Sequence, residues 1–126
     1  MIVGPTVNGY ESRGWSSVKI PDFPFTVTNW ANVPASQHPG TTGIALWRTL
    51  SIGNVRVRMV EYSPGYVADH WCQRGHIVYV VEGELETEIE GGESVTLRPG
   101  MSYEVSDGRS SHRSATKTGA KLFIID

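Results

Sequence analysis

The amino-acid sequence predicts an all-β domain built as a sandwich or a closed barrel. Short stretches rich in β-branched and aromatic residues alternate with turns that contain glycine. Fourteen glycines and seven prolines are scattered over 126 residues without a fixed period, which is typical of many turns between short strands. Because no stretch longer than one turn has helical periodicity, we expect no substantial helix.

The chain is long enough for one domain, which we divide into an N-terminal arm and a barrel. We predict an irregular arm over residues 1–43, because prolines interrupt any regular structure there. Within the arm Phe23, Phe25, Val27 and Trp30 have the spacing of one face of an extended segment, which would dock on a sheet edge or on a neighbouring subunit. The barrel is predicted over residues 44–126.

The barrel strands are predicted from runs of β-forming residues between turn residues. These runs are residues 44–50, 55–62, 77–81, 85–90, 94–97, 101–105, 113–116 and 120–125. The run at 77–81 contains only β-branched and aromatic residues, so we expect a buried strand that ends in a turn at Glu82 and Gly83.

The strand predicted over residues 55–62 has two chemically different faces. Its even positions are Arg56, Arg58, Val60 and Tyr62, and its odd positions are Val55, Val57, Met59 and Glu61. Since arginine is rarely buried without a partner, we expect the odd face to point into the core. In the alternative the even face points inward, and Arg58 is placed to bind the carboxylate of a ligand.

Composition and charge indicate a soluble chain without a nucleic-acid partner. The formal net charge is -2, the sequence pI is near 6.1, and 39% of the residues are hydrophobic. The N-terminus has neither the basic start nor the apolar segment of a signal peptide, and no apolar run approaches membrane-spanning length. We therefore expect a cytoplasmic protein with no membrane partner. A single cysteine, Cys72, excludes an internal disulfide.

Three good metal donors, His70, Cys72 and His76, lie within seven residues of one another. In an extended segment His70 and Cys72 would project to the same side, and a short bend at residues 73–75 would bring His76 beside them. The predicted strand at 77–81 follows directly and would hold the donors rigidly. The spacing favours a metal site, although a lone buried cysteine is often only a small hydrophobic residue.

This segment resembles the first sequence motif of the cupins, which are small β-barrels of jelly-roll type. That motif has two histidines separated by one residue. A glutamate follows after about three or four residues, and a glycine follows after about six more. His70 stands at the first histidine, Cys72 at the second, and His76 at the glutamate, with Gly83 at the glycine. The resemblance implies a double-stranded β-helix, or jelly-roll barrel, behind the irregular arm.

A second cupin motif is matched in weaker form. Residues 92–100 resemble its strand and turn, and residues 108–112 resemble its Gly-x-x-His with one residue added, while Ser106 replaces the usual proline. The resemblance covers roughly residues 44–125 and implies His112 as a further metal ligand. Residues 69–72 also approach the Asp-His-Cys-Trp motif of a small, functionally uncharacterised cupin group, with the last two residues swapped.

The resemblance thus implies one metal site formed by His70, Cys72, His76 and His112. Thiolate together with imidazole favours zinc, and four protein ligands would close the tetrahedron and make the site structural. If Cys72 turns away, three imidazoles leave open positions for iron, manganese, nickel or zinc. A copper site of the blue type is disfavoured, because the sequence offers no clearly placed axial methionine.

Two function classes follow from the cupin resemblance. One is a metal-dependent enzyme of oxygenase, isomerase or decarboxylase type that acts on a small organic molecule. The other is a non-catalytic, metal-stabilised module that binds a small ligand; a metal-free barrel that acts through protein contacts ranks behind both. Tyr62, Tyr103 and Glu104 are candidate acids, bases or hydrogen-bond donors. The resemblance and the apolar arm also predict a homodimer.

Overall fold

The computed structural model describes residues 23–126, whose regular structure is β-strand apart from one 3-10 turn at Trp30–Asn32. The strands within these residues are β1 Ala35–Pro39, β2 Ile44–Ile52, β3 Val55–Tyr62, β4 His76–Gly83, β5 Leu85–Ile89, β6 Ser94–Leu97, β7 Ser102–Val105, β8 His112–Ala115 and β9 Ala120–Ile125. The all-β prediction is therefore confirmed.

The strands form two antiparallel sheets that share one core. The larger sheet has the order β1-β2-β3-β9-β4-β7, and the smaller has the order β6-β5-β8. Buried aliphatic side chains from both sheets meet in a single cluster that includes Val60, Val80, Leu85, Leu97 and Leu122. This apolar layer is the jelly-roll core, because each sheet can bury only one of its faces.

The predicted strands of the barrel all form, and their ends agree within two residues. The arm differs, because residues 35–39 were predicted to be irregular and instead form β1, which pairs with β2. The proline that argued against a strand is Pro39, the last residue of an edge strand. At an edge a missing backbone N–H leaves no neighbouring strand unpaired.

The prediction that the odd-numbered face of β3 points into the core is wrong. The even face points inward, since Arg58 is 6% exposed and Val60 is 2% exposed, whereas Glu61 is exposed. The prediction assumed that a buried arginine would have no partner, but Arg58 has one. Asp126, sixty-eight residues later in the chain, accepts hydrogen bonds from both Arg56 and Arg58. Strand β9 brings this carboxylate beside β3.

Residues 1–22 of the predicted arm lie outside the described residues, and in the part that is described the predicted anchor Trp30 docks on the larger sheet. Trp30 packs edge-on against Phe123 of β9, with ring centroids 6.3 Å apart, whereas Phe25 and Val27 are exposed. Strand β4 is buried on one face only, because Ile77 and Tyr79 are nearly half exposed. In the described part of the chain, no helix has the length and apolar character needed to span a membrane.

Candidate metal centre

Three of the predicted donors, Cys72, His76 and His112, converge between the two sheets. One potential ligand atom from each lies within 4.8 Å of the others. His76 opens β4 in the larger sheet and His112 opens β8 in the smaller sheet, while Cys72 belongs to the connection that precedes β4. The packing of the two sheets therefore assembles the cluster from distant parts of the chain.

Backbone hydrogen bonds attach Cys72 to β8. The N–H of Cys72 donates to the carbonyl of His112 at 2.7 Å, and the N–H of His112 donates back at 3.0 Å. The Cys72 Sγ in turn accepts from the backbone N–H of Arg74 at 3.4 Å. These contacts fix the position of the sulfur beside the two histidines.

The surroundings of His112 determine which of its nitrogens is available. Its side chain is almost completely buried, and its Nδ1 lies 2.9 Å from the carbonyl oxygen of Ser110. Because a carbonyl oxygen can only accept, Nδ1 carries the proton and donates it to Ser110. The Nε2 of His112 consequently presents a lone pair to the cluster.

His76 has the same orientation toward the cluster. Its Nε2 lies 2.8 Å from the Nε2 of His112, and its Nδ1 lies 3.6 Å from the Oδ2 of Asp126. This Nδ1 is buried and has no hydrogen-bond partner among residues 23–126. The carboxylate of Asp126 favours a proton on the Nδ1 of His76. The Nε2 of His76 then presents a lone pair to the cluster, as the Nε2 of His112 does. Burial, reinforced by neighbouring His112, lowers the pKa of His76 to about 4, so that the imidazole is neutral at pH 7.

These residues fit a transition-metal ion. Two imidazole lone pairs that face each other at 2.8 Å repel unless a proton or a cation lies between them. The thiol of Cys72 completes a set of two nitrogens and one sulfur, which is a donor set that zinc and related ions bind. The cluster is therefore a site that could hold a metal.

A buried carboxylate and three arginines lie behind His76. The side chain of Asp126 is fully buried, with Arg56 and Arg58 at 2.9 Å and Arg74 at 3.4 Å. Burial alone would raise the pKa of Asp126, but these arginines outweigh it and lower the pKa below its ordinary value. Asp126 is therefore ionised at neutral pH and faces the imidazole as an acceptor.

The cluster opens onto a cavity of about 390 Å³. Aromatic, hydroxyl and arginine side chains line it together with the three donors, among them Trp47, Arg58, Tyr62, Tyr66, Trp71, Tyr103 and Ser114. The hydroxyl of Tyr103 lies 3.2 Å from the Nε2 of His76. Burial raises the pKa of Tyr62 to about 12 and also raises that of Tyr103, so both remain neutral hydroxyls at pH 7.

His70, the other predicted ligand, lines the same cavity but stays outside the cluster of three. Its side chain is 75% exposed, and its Nδ1 lies 2.6 Å from the carboxylate of Asp69. The alternation expected for an extended strand does not hold here, because residues 68–71 are not in a strand. As a result His70, Trp71 and Cys72 all line the cavity.

The candidate acids and bases divide between the inside and the outside of the barrel. Tyr62 and Tyr103 line the cavity as the strand pattern allowed, whereas Glu104 lies on the exposed face of β7 and accepts from Ser102. Sequence reasoning missed Asp126 and Arg74. One sequence feature pointed toward Asp126: if Arg56 and Arg58 face inward, they require a carboxylate as counter-ion. The sequence does not show which carboxylate this is.

The chain is a small β-barrel of two sheets, and a cluster of two histidines and one cysteine lies between them. It is therefore a β-barrel protein with a candidate metal centre. The chain belongs to the cupins: the family model described as the cupin domain matches residues 58–126. This match covers the strands that carry His76 and His112, and it includes Asp126, which follows β9. A search of curated proteins gives no match.

Solved structures with similar folds include three from bacteria. Ectoine synthase from P. lautus is 22% identical, with 80% of this chain and 76% of that chain covered and a TM-score of 0.64. A predicted oxalate decarboxylase from Thermotoga maritima is 15% identical, with 79% and 96% covered and a TM-score of 0.69. An RmlC-like cupin from Shewanella frigidimarina is 20% identical, with 81% and 89% covered and a TM-score of 0.65. At these identities the likeness shows the fold alone.

Proposed function

We propose that the protein is a metal-dependent cupin that acts on a small organic molecule. In this proposal Cys72, His76 and His112 bind one divalent transition metal, and the molecule occupies the adjoining cavity. The observation that carries the proposal is the convergence of these three donors within 4.8 Å at the wall of a cavity of about 390 Å³. Cavities of this size accommodate small organic ligands.

Zinc is the favoured metal. One sulfur and two imidazole nitrogens form a donor set of borderline softness, which suits zinc best. Iron and nickel also accept imidazole ligands and are the next candidates, whereas manganese, which prefers oxygen ligands, ranks behind them.

The open side of the cluster supports an enzyme. Three protein ligands and one free position are the pattern of catalytic zinc sites, whereas four protein ligands are typical of structural sites. With His70 outside the set, the three remaining donors line the cavity and would leave a coordination position for a further ligand. A metal bound there would polarise a substrate oxygen or activate a water molecule. The neutral hydroxyl of Tyr103, next to His76, is placed to donate a hydrogen bond to the bound molecule.

A non-catalytic ligand-binding module is the second candidate, and one observation favours it. Among the described residues that line the cavity there is neither an aspartate nor a glutamate. The tyrosines beside the site have raised pKa values, so their hydroxyls stay protonated at pH 7 and are not available as general bases. Turnover of a small molecule that depends on the metal would favour the enzyme, and binding without turnover would favour the module.

We also propose a cytoplasmic homodimer. The support for the dimer is the apolar outer face of β4, where Ile77, Tyr79 and Val81 are between 38% and 47% exposed. Contiguous apolar surface of this kind is often buried between subunits. Sedimentation equilibrium of the purified protein tests the dimer, and a monomer at micromolar concentration would contradict it.

The metal content of protein purified without an affinity tag tests the proposed function. We expect one ion per chain by elemental analysis, and an intense thiolate-to-cobalt absorption band after substitution with cobalt. One ion without that band would remove Cys72 from the ligand set. The absence of stoichiometric metal, even after dialysis against zinc, would overturn the proposal.

A further inference from the structure

The cavity beside the candidate metal centre carries an excess of positive charge. Four arginines line it, Arg56, Arg58, Arg74 and Arg113, and no carboxylate of the described residues does so. Arg113 is neutralised outside the cavity by Glu88 at 2.9 Å. The other three arginines share the single carboxylate of Asp126. Among the described residues, three guanidinium groups thus share one side-chain carboxylate, which leaves two positive charges without a side-chain counter-ion.

Arg58 is the buried member of this group. Its side chain is 7% exposed, and the Nη2 donates to Asp126 at 2.9 Å. Its Nε is buried and has no hydrogen-bond partner among the described residues. Because a buried guanidinium N–H without an acceptor is costly, a second anion beside Arg58 would stabilise the protein.

The remaining walls indicate what kind of anion fits. The guanidinium of Arg58 lies over the ring of Trp47 at 4.3 Å, and Val78, Leu122 and Ile124 supply further apolar surface. An inorganic ion would make little contact with these apolar side chains, whereas the apolar body of an organic acid can pack against them. The planar guanidinium fork matches the geometry of a carboxylate.

We propose that the cavity binds a small organic carboxylate, with the carboxylate anchored by Arg58 and the apolar body against the aromatic and aliphatic side chains of the cavity wall. This inference deepens the proposed function and rests on it in one respect, the contact between the other end of the ligand and the metal. The anchoring of the carboxylate by Arg58 does not depend on the metal. Tyr62 and Tyr103 line the same cavity, and their hydroxyl groups donate hydrogen bonds to the ligand. The substrate class is therefore a small carboxylic acid in its ionised form.

Calorimetric titration of the full chain loaded with zinc tests this proposal. The probes are acetate and benzoate, their uncharged counterparts acetamide and benzamide, and inorganic phosphate. We expect benzoate to bind at least ~10-fold more tightly than benzamide, because a charge-assisted hydrogen bond is about twice as strong as a neutral one. Equal affinities for acid and amide would overturn the proposal, and so would phosphate binding as tightly as benzoate.

Two variants locate the anchor. Arg58→Lys keeps the positive charge but loses the Nε and the fork, and we expect it to weaken benzoate binding by ~10-fold. Arg98→Lys, at an exposed arginine paired with Glu84 outside the cavity, serves as the control and should leave binding unchanged. An Arg58→Lys protein that folds and binds benzoate normally would overturn the role of Arg58. If that variant does not fold, the acid and amide comparison in the unaltered protein still decides the ligand class.

The metal content of each sample separates this inference from the proposed function. A preference for benzoate in protein that takes up no zinc would support the carboxylate site and overturn the metal proposal. Stoichiometric zinc without any preference for the acid would support the metal site and overturn the carboxylate site.

Discussion

The Oδ2 of Asp126 lies 3.6 Å from the Nδ1 of His76, although the two residues are fifty positions apart in the chain. A carboxylate behind a metal-binding imidazole fixes its tautomer and makes the other nitrogen a better ligand. The same carboxylate holds Arg56 and Arg58, which line the cavity. Asp126 thus connects the candidate metal centre with the positively charged part of the cavity.

Replacing the carboxylate of Asp126 by an amide should weaken metal binding without removing a ligand. We expect Asp126→Asn to lower zinc affinity by about 10- to 100-fold, because the amide no longer favours a proton on the Nδ1 of His76. Competition with a chromogenic chelator measures the affinity. Glu88→Gln, which removes the partner of Arg113, is the control and should change zinc affinity little. An Asp126→Asn protein with unchanged affinity would contradict this role.

The two histidines that lie near Cys72 in the sequence should behave differently when removed. His76→Ala deletes one of three converging donors, and we expect it to lose stoichiometric zinc. His70→Ala alters an exposed side chain outside the cluster and should retain one ion per chain. Elemental analysis after dialysis reports both results. Loss of zinc in His70→Ala would instead make His70 a ligand.

Replacing the sulfur of Cys72 by oxygen should change the spectrum of the site more than the fold. Cys72 is held by backbone hydrogen bonds to His112, which a serine also makes. A serine hydroxyl stays protonated at pH 7, so we expect Cys72→Ser to abolish the thiolate-to-cobalt band and to weaken metal binding. Ser114→Ala, elsewhere in the cavity wall, should keep the band. A band that persists in Cys72→Ser would exclude Cys72 as a ligand.

Two glycines with similar backbone angles should differ in their tolerance of alanine. Gly83 and Gly91 have φ values of 79° and 72°, so that a Cβ costs about 1–2 kcal/mol at either position. At Gly83 the added Cβ would also lie 2.0 Å from the carbonyl oxygen of Gly119, whereas at Gly91 nothing lies within 4 Å. In urea unfolding we expect Gly83→Ala to lose clearly more stability than Gly91→Ala. Equal losses of stability in the two variants would show that the backbone at Gly83 and Gly119 moves apart at little cost to accept the added Cβ.

The positions of the barrel strands were predictable because they depend on local pattern. The strand at residues 55–62 and the final strand at 120–125 were predicted with the bounds that the structure shows. Alternation and β-branched content define such strands, and glycine marks their ends. The edge strand β1 was missed, because its proline is acceptable only at an edge and the sequence does not show where the sheet ends.

The sequence by itself determined the family, the all-β architecture and the residues able to bind a metal, since cupin motifs and donor chemistry are properties of short segments. Tertiary structure alone decided which donors meet: His112 joins Cys72 and His76, while His70 stays apart. It also decided that Arg58 is buried, because its counter-ion Asp126 follows the last strand, sixty-eight residues later in the chain. A local pattern cannot reveal such a partner, because the pairing of distant strands sets the distance between charges.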